Sequence, residues 1–356
     1  MKIAMLCPII SLEHPSGLIT NVLEISNRLV KKGHRVTIYT TSGSPRDYSI
    51  GKIRVREFRA FSPNHTYFLS PFLVKALLSS DEEIIHCHGY NNLITLSAMV
   101  FKKPSTKLFI TLHSSGPSSS FRKLLWSIYE YAFNLFSHKI DKIVCVSEFE
   151  RTEFQKKINL PTNRFVLIPN GMDYRFIQKV RSPQKKNQII SVGRLVRNKG
   201  FHHLLHSFAI VLKEFPSLKL KVVGKGIYLP ELKSLASTLG ISQNVIFENS
   251  IPLDDRASLI KSLKESRLFI FLSAYESQGI VVSEALSAGL PSLVSYNSGM
   301  KELVDQGFAI HINDPEDYPS VASSIISALK NPPKLKKFRP LNWDIVAKKI
   351  LQLYAE

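Results

Sequence analysis

Short apolar runs alternate with stretches of helical period along the whole chain, and this alternation restricts the fold more than any other feature. In the first half the runs lie near residues 2–7, 35–40, 53–58, 83–88, 107–112, 142–147 and 165–169. Helix-period segments near 17–32, 70–79, 91–101, 120–138 and 148–158 separate them. The pattern resumes with runs near 188–192, 218–223, 244–248, 268–272, 292–295 and 308–311. There the helical segments fall near 200–214, 229–239, 255–264, 279–289, 299–305 and 316–330. A strand separated from the next by a helix pairs with it in parallel, and helices then cover both faces of the sheet. Periodicity fails near 173–186, around Arg181-Ser-Pro-Gln-Lys-Lys-Asn187, and again at Asn331-Pro-Pro-Lys-Leu-Lys-Lys337. The expected fold is α/β, with two Rossmann-like domains at 1–173 and 186–338 facing across a cleft, and a last helical segment at 339–356. A chain of 356 residues is long enough for two such cores.

Composition narrows the class. Hydrophobic residues make up 44% and charged residues 21%, the balance of a globular chain. No apolar run approaches the ~18 residues of a membrane helix. Met1-Lys-Ile-Ala-Met-Leu-Cys7 lacks the layout of a signal peptide and reads as a first strand. Cys7, Cys87 and Cys145 each fall in an apolar run, which argues against a disulfide framework and for a reducing, cytoplasmic compartment. The net charge is +19, spread evenly: 22 Lys/Arg stand against 12 Asp/Glu in residues 1–172, and 25 against 16 in the remainder. Such charge fits a solvated basic surface or peripheral contact with an anionic membrane face. It also fits a nucleic-acid binder, but no recognition motif for nucleic acid is present, and none is expected as a partner.

Two segments carry the chemistry. Ser191-Val-Gly-Arg-Leu-Val-Arg-Asn-Lys-Gly200 follows an apolar run, so Arg194 and Lys199 are two cations at the carboxyl end of a strand. Open α/β sheets bind ligands there. Gly193 permits a tight turn, and Gly200 a close approach or a left-handed residue. The second segment, Glu276-Ser-Gln-Gly-Ile-Val-Val-Ser-Glu284, follows the run Leu268–Ser273 and opens a helix closed by Gly289 and Pro291. Free N–H groups and the macrodipole at a helix start attract phosphate. Carboxylates on either side suit a sugar and a ribose. Two cations and two carboxylates therefore predict a nucleotide-sugar site.

Together the segments resemble the donor-site signature of GT-B retaining glycosyltransferases of glycosyltransferase family 4, G-R-L-x-x-x-K-G followed by E-x7-E. The resemblance extends to Ile168-Pro-Asn-Gly-Met-Asp173, Val146-Ser-Glu148 and the helix from Trp343. It implies an acceptor domain first, a donor domain second, and a last helix that crosses back onto the first. By resemblance Glu284 binds the ribose hydroxyls and Glu276 the donor sugar, while backbone N–H groups of Gly279, Ile280 and Val281 face the sugar and diphosphate. Arg194 and Lys199 would stabilise charge on the leaving diphosphate in place of a divalent metal. No D-x-D metal motif lies in a suitable loop, so no metal or other cofactor is expected. Domain closure would exclude water as a competing acceptor. The family's front-face mechanism needs no enzymic nucleophile. The expected partners are a nucleotide-sugar donor and a glycan or lipid-linked acceptor. A nucleotide-sugar epimerase and an inactive nucleotide-sugar-binding protein are the other readings of the same site.

The remaining candidates lie in the first half. His113 ends a strand and, by resemblance, stands at the donor sugar; Ser114 follows it where many relatives have an acidic residue. In His86-Cys87-His88-Gly89 alternate side chains point to opposite faces, which disfavours a zinc site and leaves His88 for the acceptor side. Gly17, after His14-Pro-Ser16, opens a helix on the acceptor- or phosphate-facing loop. Phe121 to Phe136 is aromatic and basic at one end, either an ordinary buried helix or a membrane-surface patch.

Overall fold

The computed structural model describes residues 1–12, 16–61, 69–113, 120–181 and 184–356, with backbone alone for 120–126. The chain divides into two compact units. One comprises 1–11, 18–171 and 341–356; the other comprises 12–17 and 172–340.

The first unit is built on eight strands: β1 (Lys2–Leu6), β2 (Arg35–Ser42), β3 (Asp47–Ile50), β4 (Ile53–Arg59), β5 (Ile84–His88), β6 (Lys107–Thr111), β7 (Lys142–Cys145) and β8 (Phe165–Leu167). They lie in the order β3-β4-β2-β1-β5-β6-β7-β8. All pairs are parallel except β3 with β4. Residues Ile3 to Cys7 are all buried, as a strand covered on both faces requires. The helices are α1 (Gly17–Lys31), α2 (Pro71–Ser79), α3 (Leu93–Phe101), α4 (Ser120–Phe136) and α5 (Glu148–Lys157). Side chains fix several starts: Asn92 Oδ1 accepts Thr95 N–H at 2.8 Å, and Ser147 Oγ accepts Glu150 N–H at 3.1 Å. The Glu150 carboxylate reaches back to Val146 N–H at 2.9 Å, close to a capping box.

The second unit has six parallel strands: β9 (Gln188–Val192), β10 (Lys219–Val223), β11 (Val245–Glu248), β12 (Leu268–Phe271), β13 (Ser292–Ser295) and β14 (Ile310–Ile312). Their order is β11-β10-β9-β12-β13-β14. Counted from β9, that is the doubly wound 3-2-1-4-5-6 order, whose direction reverses between β9 and β12. Ligands bind outside the carboxyl ends of the strands at such a point. The helices are α6 (Tyr174–Lys179), α7 (Phe201–Val211), α8 (Leu229–Thr238), α9 (Arg256–Glu265), α10 (Ile280–Ser287), α11 (Ser298–Asp305) and α12 (Tyr318–Lys330).

The last helix, α13 (Trp343–Ala355), belongs to the first unit, the return that the family resemblance implied. It buries Trp343, Val346, Ile350 and Tyr354. The Tyr354 hydroxyl lies 2.6 Å from His86 Nδ1, and Arg28 Nε donates to Asp344 at 3.0 Å. A Cβ on Gly171 would stand 2.8 Å from the Trp343 backbone nitrogen, so only glycine fits there.

Two elements were not anticipated. β3 is a four-residue edge strand with alternating exposure, joined to β4 by Gly51-Lys52 with Gly51 at φ +59°. Its sequence is too short and too polar for a period to emerge. α6 has six residues and buries Ile177 alone. Asp173 caps it by accepting Phe176 N–H at 3.0 Å, and Gln178 Nε2 ties it to the Ser287 carbonyl at 2.9 Å.

Candidate active site

The two predicted donor segments meet in the second unit. After β9 the chain makes a single tight turn over Arg197–Lys199, then enters α7 through Gly200 at φ +71°. A Cβ on Gly200 would lie 2.0 Å from the Leu272 carbonyl oxygen. Glycine is therefore required, and the β9 loop lies directly on the end of β12. Ala274 N–H donates to the Asn198 carbonyl at 2.9 Å and pins the loops together. Lys199 consequently ion-pairs with Glu276, with its Nζ 3.4 Å from Ser273 Oγ and 5.7 Å from the Phe271 ring centre. The two side chains are 9% and 18% exposed. Arg194 is exposed on the same loop, and its guanidinium makes no hydrogen bond or ion pair with a described residue. Gly193 N–H donates to the Val223 carbonyl at 3.0 Å, extending the β9 ladder by one residue.

The Glu276 loop is held from its other side by the turn that opens α11. Ser298 Oγ accepts Glu276 N–H at 2.9 Å, and Gly299 N–H donates to the Glu276 carbonyl at 2.8 Å. Ser298 is left-handed at φ +46°, a strained conformation for a residue with a Cβ. Neither Ser298 nor Gly299 was singled out in the sequence, although Asn-Ser-Gly is ordinary turn chemistry.

Gly279, at φ +67°, starts α10 with no side-chain cap. The first N–H groups of the helix, Ile280 and Val281 among them, are left without a capping side chain, as anion binding requires. Glu284 lies one turn further on and is almost wholly buried. One of its oxygens pairs with Arg256, the first residue of α9; the other, Oε2, is buried without a hydrogen-bond partner. No periodicity or spacing links residue 256 to residue 284, and the contact exists only because α9 packs on α10. Gly17 is grouped with this unit, and a Cβ there would touch Ile280 at 3.5 Å. His14 and Pro15 lie outside the described residues.

In the first unit, His86, His88 and His113 form a stack at the carboxyl ends of β5 and β6. The ring centres of His86 and His88 are 4.4 Å apart, those of His88 and His113 5.6 Å. His86 is satisfied on both nitrogens, by Tyr354 at 2.6 Å and Thr111 Oγ1 at 2.7 Å. His88 Nδ1 contacts His113 Nε2 at 3.4 Å, while its buried Nε2 has no partner. Burial pushes His86 and His113 down to about 3 and His88 well below the usual imidazole value, so all three are neutral at pH 7. His88 is fully buried, and His113, at φ +46°, is the one partly open to solvent. Ser114 and the loop after it lie outside the described residues. Cys87 points away from this stack; it, Cys7 and Cys145 are buried and free. Among the described residues no three His, Cys, Asp or Glu side chains are placed to hold a metal, and no helix is long and apolar enough to cross a membrane.

Sequence comparison decides the family. Residues 15–176 match the model for Glycosyltransferase Family 4, and residues 173–340 match that for Glycosyl transferases group 1. The chain belongs to glycosyltransferase family 4. It is 26% identical to the alpha-monoglucosyldiacylglycerol synthase of Streptococcus pneumoniae, over 96% of this chain and 80% of that one. Identity to the phosphatidyl-myo-inositol mannosyltransferase of Mycobacterium tuberculosis is 24%, over 99% of this chain and 96% of the relative. Among solved structures, Anabaena HepE in complex with UDP and glucose superposes with a TM-score of 0.76 at 17% identity, each chain covered fully. This glycosyltransferase therefore has the GT-B fold, two parallel-sheet α/β units.

Proposed function

We propose that this glycosyltransferase moves a sugar from a nucleotide-sugar donor to a glycan or lipid-linked acceptor, retains the anomeric configuration, and works without a divalent metal. One observation carries the reading: Arg194, the Lys199–Glu276 pair, the uncapped start of α10 and the unpartnered oxygen of Glu284 all lie in the loops and helix that follow β9 and β12. Glu284 takes the ribose, Glu276 a donor-sugar hydroxyl, and the amides at Gly279, Ile280 and Val281 the diphosphate. As the bond from the sugar to the diphosphate breaks, negative charge grows on the leaving phosphate. Arg194 and Lys199 meet that charge; a fixed partner of this kind contributes ~3–4 kcal/mol. The acceptor hydroxyl approaches the same face of the sugar, and its proton passes to the departing phosphate oxygen. By family resemblance His113 is assigned to the donor sugar, and His88 backs it through the 3.4 Å contact between their rings.

The lipid-linked option draws on the glucosyldiacylglycerol synthase and the phosphatidyl-myo-inositol mannosyltransferase among the relatives, and on charge. The side chains of Arg122, Lys123 and Trp126 lie outside the described set, but further along α4 Ile128, Tyr131 and Leu135 are 64%, 76% and 58% exposed. Their i, i+3, i+7 spacing makes an apolar stripe suited to a membrane surface.

The test is incubation with UDP-, GDP- and ADP-sugars, with and without lipid and glycan acceptors, in excess chelator. The expected outcome is acceptor-dependent turnover and a product of the donor's anomeric configuration by NMR. Turnover of donor alone would favour the epimerase. An inverted product, or activity restored only by magnesium or manganese, would overturn retention or metal independence respectively.

A further inference from the structure

We infer that Arg256 is a positioning residue for the ribose of the donor, holding Glu284 ionised and turned so that one carboxylate oxygen is reserved for a sugar hydroxyl. The inference rests on the ribose role proposed above for Glu284. Its basis is how the two oxygens of that carboxylate are occupied. The Glu284 side chain is 3% exposed, and a carboxylate so buried takes up a proton unless a cation or hydrogen bonds hold it charged. Arg256 supplies the cation to Oε1. Oε2 is equally buried and has no partner, an arrangement that costs stability unless a ligand fills it.

Arginine suits the task better than lysine. Its planar fork fixes the plane of the carboxylate and keeps its charge at any working pH. Arg256 is itself mostly shielded, at 22% exposure, and sits at the first position of α9. The Asp255 cap sets that helix start, accepting Ser258 N–H at 3.4 Å. A nucleotide hydroxyl reaching Oε2 would donate to an ionised acceptor, the stronger kind of hydrogen bond.

The experiment uses the full chain and measures Kd for UDP, GDP, ADP and CDP, then for the 2′-deoxy and 3′-deoxy forms of the tightest. A hydrogen bond to a charged group contributes about ten- to a hundredfold in affinity, so one deoxy form should bind the parent weaker by that factor. In Arg256→Met the ratio should fall to within about threefold of unity, and Arg256→Lys should lie between, because a lysine keeps the charge without the fork. Arg256→Met leaves a buried carboxylate unpaired and is the variant at risk of not folding. The double variant Arg256→Met/Glu284→Gln removes both charges; it should fold and still fail to discriminate. Full discrimination in Arg256→Met, or its return in the double variant, would overturn the inference. Full discrimination in Glu284→Gln would instead overturn the ribose role, and a parent that ignores every diphosphate would overturn both.

Discussion

Both units gather polar side chains at the carboxyl ends of their central strands, yet they treat charge in opposite ways. The second unit keeps its charges and pairs them: Lys199 with Glu276, Arg256 with Glu284, and Arg194 exposed on the same loop. The first unit lines β5 and the end of β6 with neutral groups instead, stacking His86, His88 and His113 where burial keeps each imidazole uncharged. Paired ions suit the diphosphate and ribose proposed for them. A neutral stack offers hydrogen bonds without attracting phosphate. The two clusters thus differ in kind, paired ions in one unit and neutral rings in the other.

The contrast breaks first at Arg194. Arg194→Ala should lower kcat by ~10²–10³ if, as proposed, the guanidinium meets charge that grows in the transition state. Glu284→Ala should mainly raise donor KM, since the proposed ribose contact is made alike in ground and transition states. Steady-state kinetics separates the two, and an unchanged kcat in Arg194→Ala would remove the phosphate role. Next in size is Lys199→Met, which leaves Glu276 unpaired in a mostly buried site. Breaking such a pair costs about 3 kcal/mol, visible as a lower denaturation midpoint, and Lys199→Met/Glu276→Gln should recover most of it.

Acid should expose the first unit's neutrality. An unfolded histidine has the ordinary value of 6.5, whereas folded His86 and His113 sit at about 3. Below pH 6.5 the unfolded chain binds protons that the folded unit refuses. The stability these residues contribute is therefore complete above that pH and lost as pH falls toward 3, by about 1.4 kcal/mol per pH unit for each. The second unit has such a group in His202, lowered to about 4, and another in His203, so it should soften too, with fewer groups contributing. Melts at pH 7.5 and 5.0 measure this, and His88→Leu should flatten the dependence; identical midpoints at both pH values would remove the neutral stack. The smallest expected effect is at membranes. Each basic residue near an anionic surface adds ~1 kcal/mol, fading beyond ~8 Å at physiological salt. Co-sedimentation with anionic vesicles should fall with salt and with Leu135→Ser, and equal recovery on neutral vesicles would reduce the +19 charge to surface solvation.

Much of the contrast was legible in the sequence for the second unit and little of it for the first. The β9 and β12 segments announce themselves because glycine spacing, cations and carboxylates must recur at fixed offsets for the loops to meet. Gly200 shows why, having no room for a Cβ against Leu272. Arg256 and Ser298 stayed hidden, because each reaches the site through helix packing or a turn that no local pattern encodes. The strand alternation placed His86 and His88 on one face, but their burial depends on α13, more than two hundred residues away. β3 and α6 were missed because elements of four and six residues carry too few positions for a period.

That distance has a consequence for timing. The second unit, residues 12–17 apart, is one continuous stretch, 172–340, whereas the first is interrupted by it and completed by α13. During synthesis the later unit can therefore close before the earlier one. Until residues 343–355 are made, His86 lacks its tyrosine partner and the seat of Trp343, Ile350 and Tyr354 stands open as an apolar groove. The nascent first unit is the stretch most exposed to chaperones or mispairing. A chain stopped at Pro340 should carry a native second unit beside a first unit that binds hydrophobic dye, and a separately supplied α13 peptide should quench that binding.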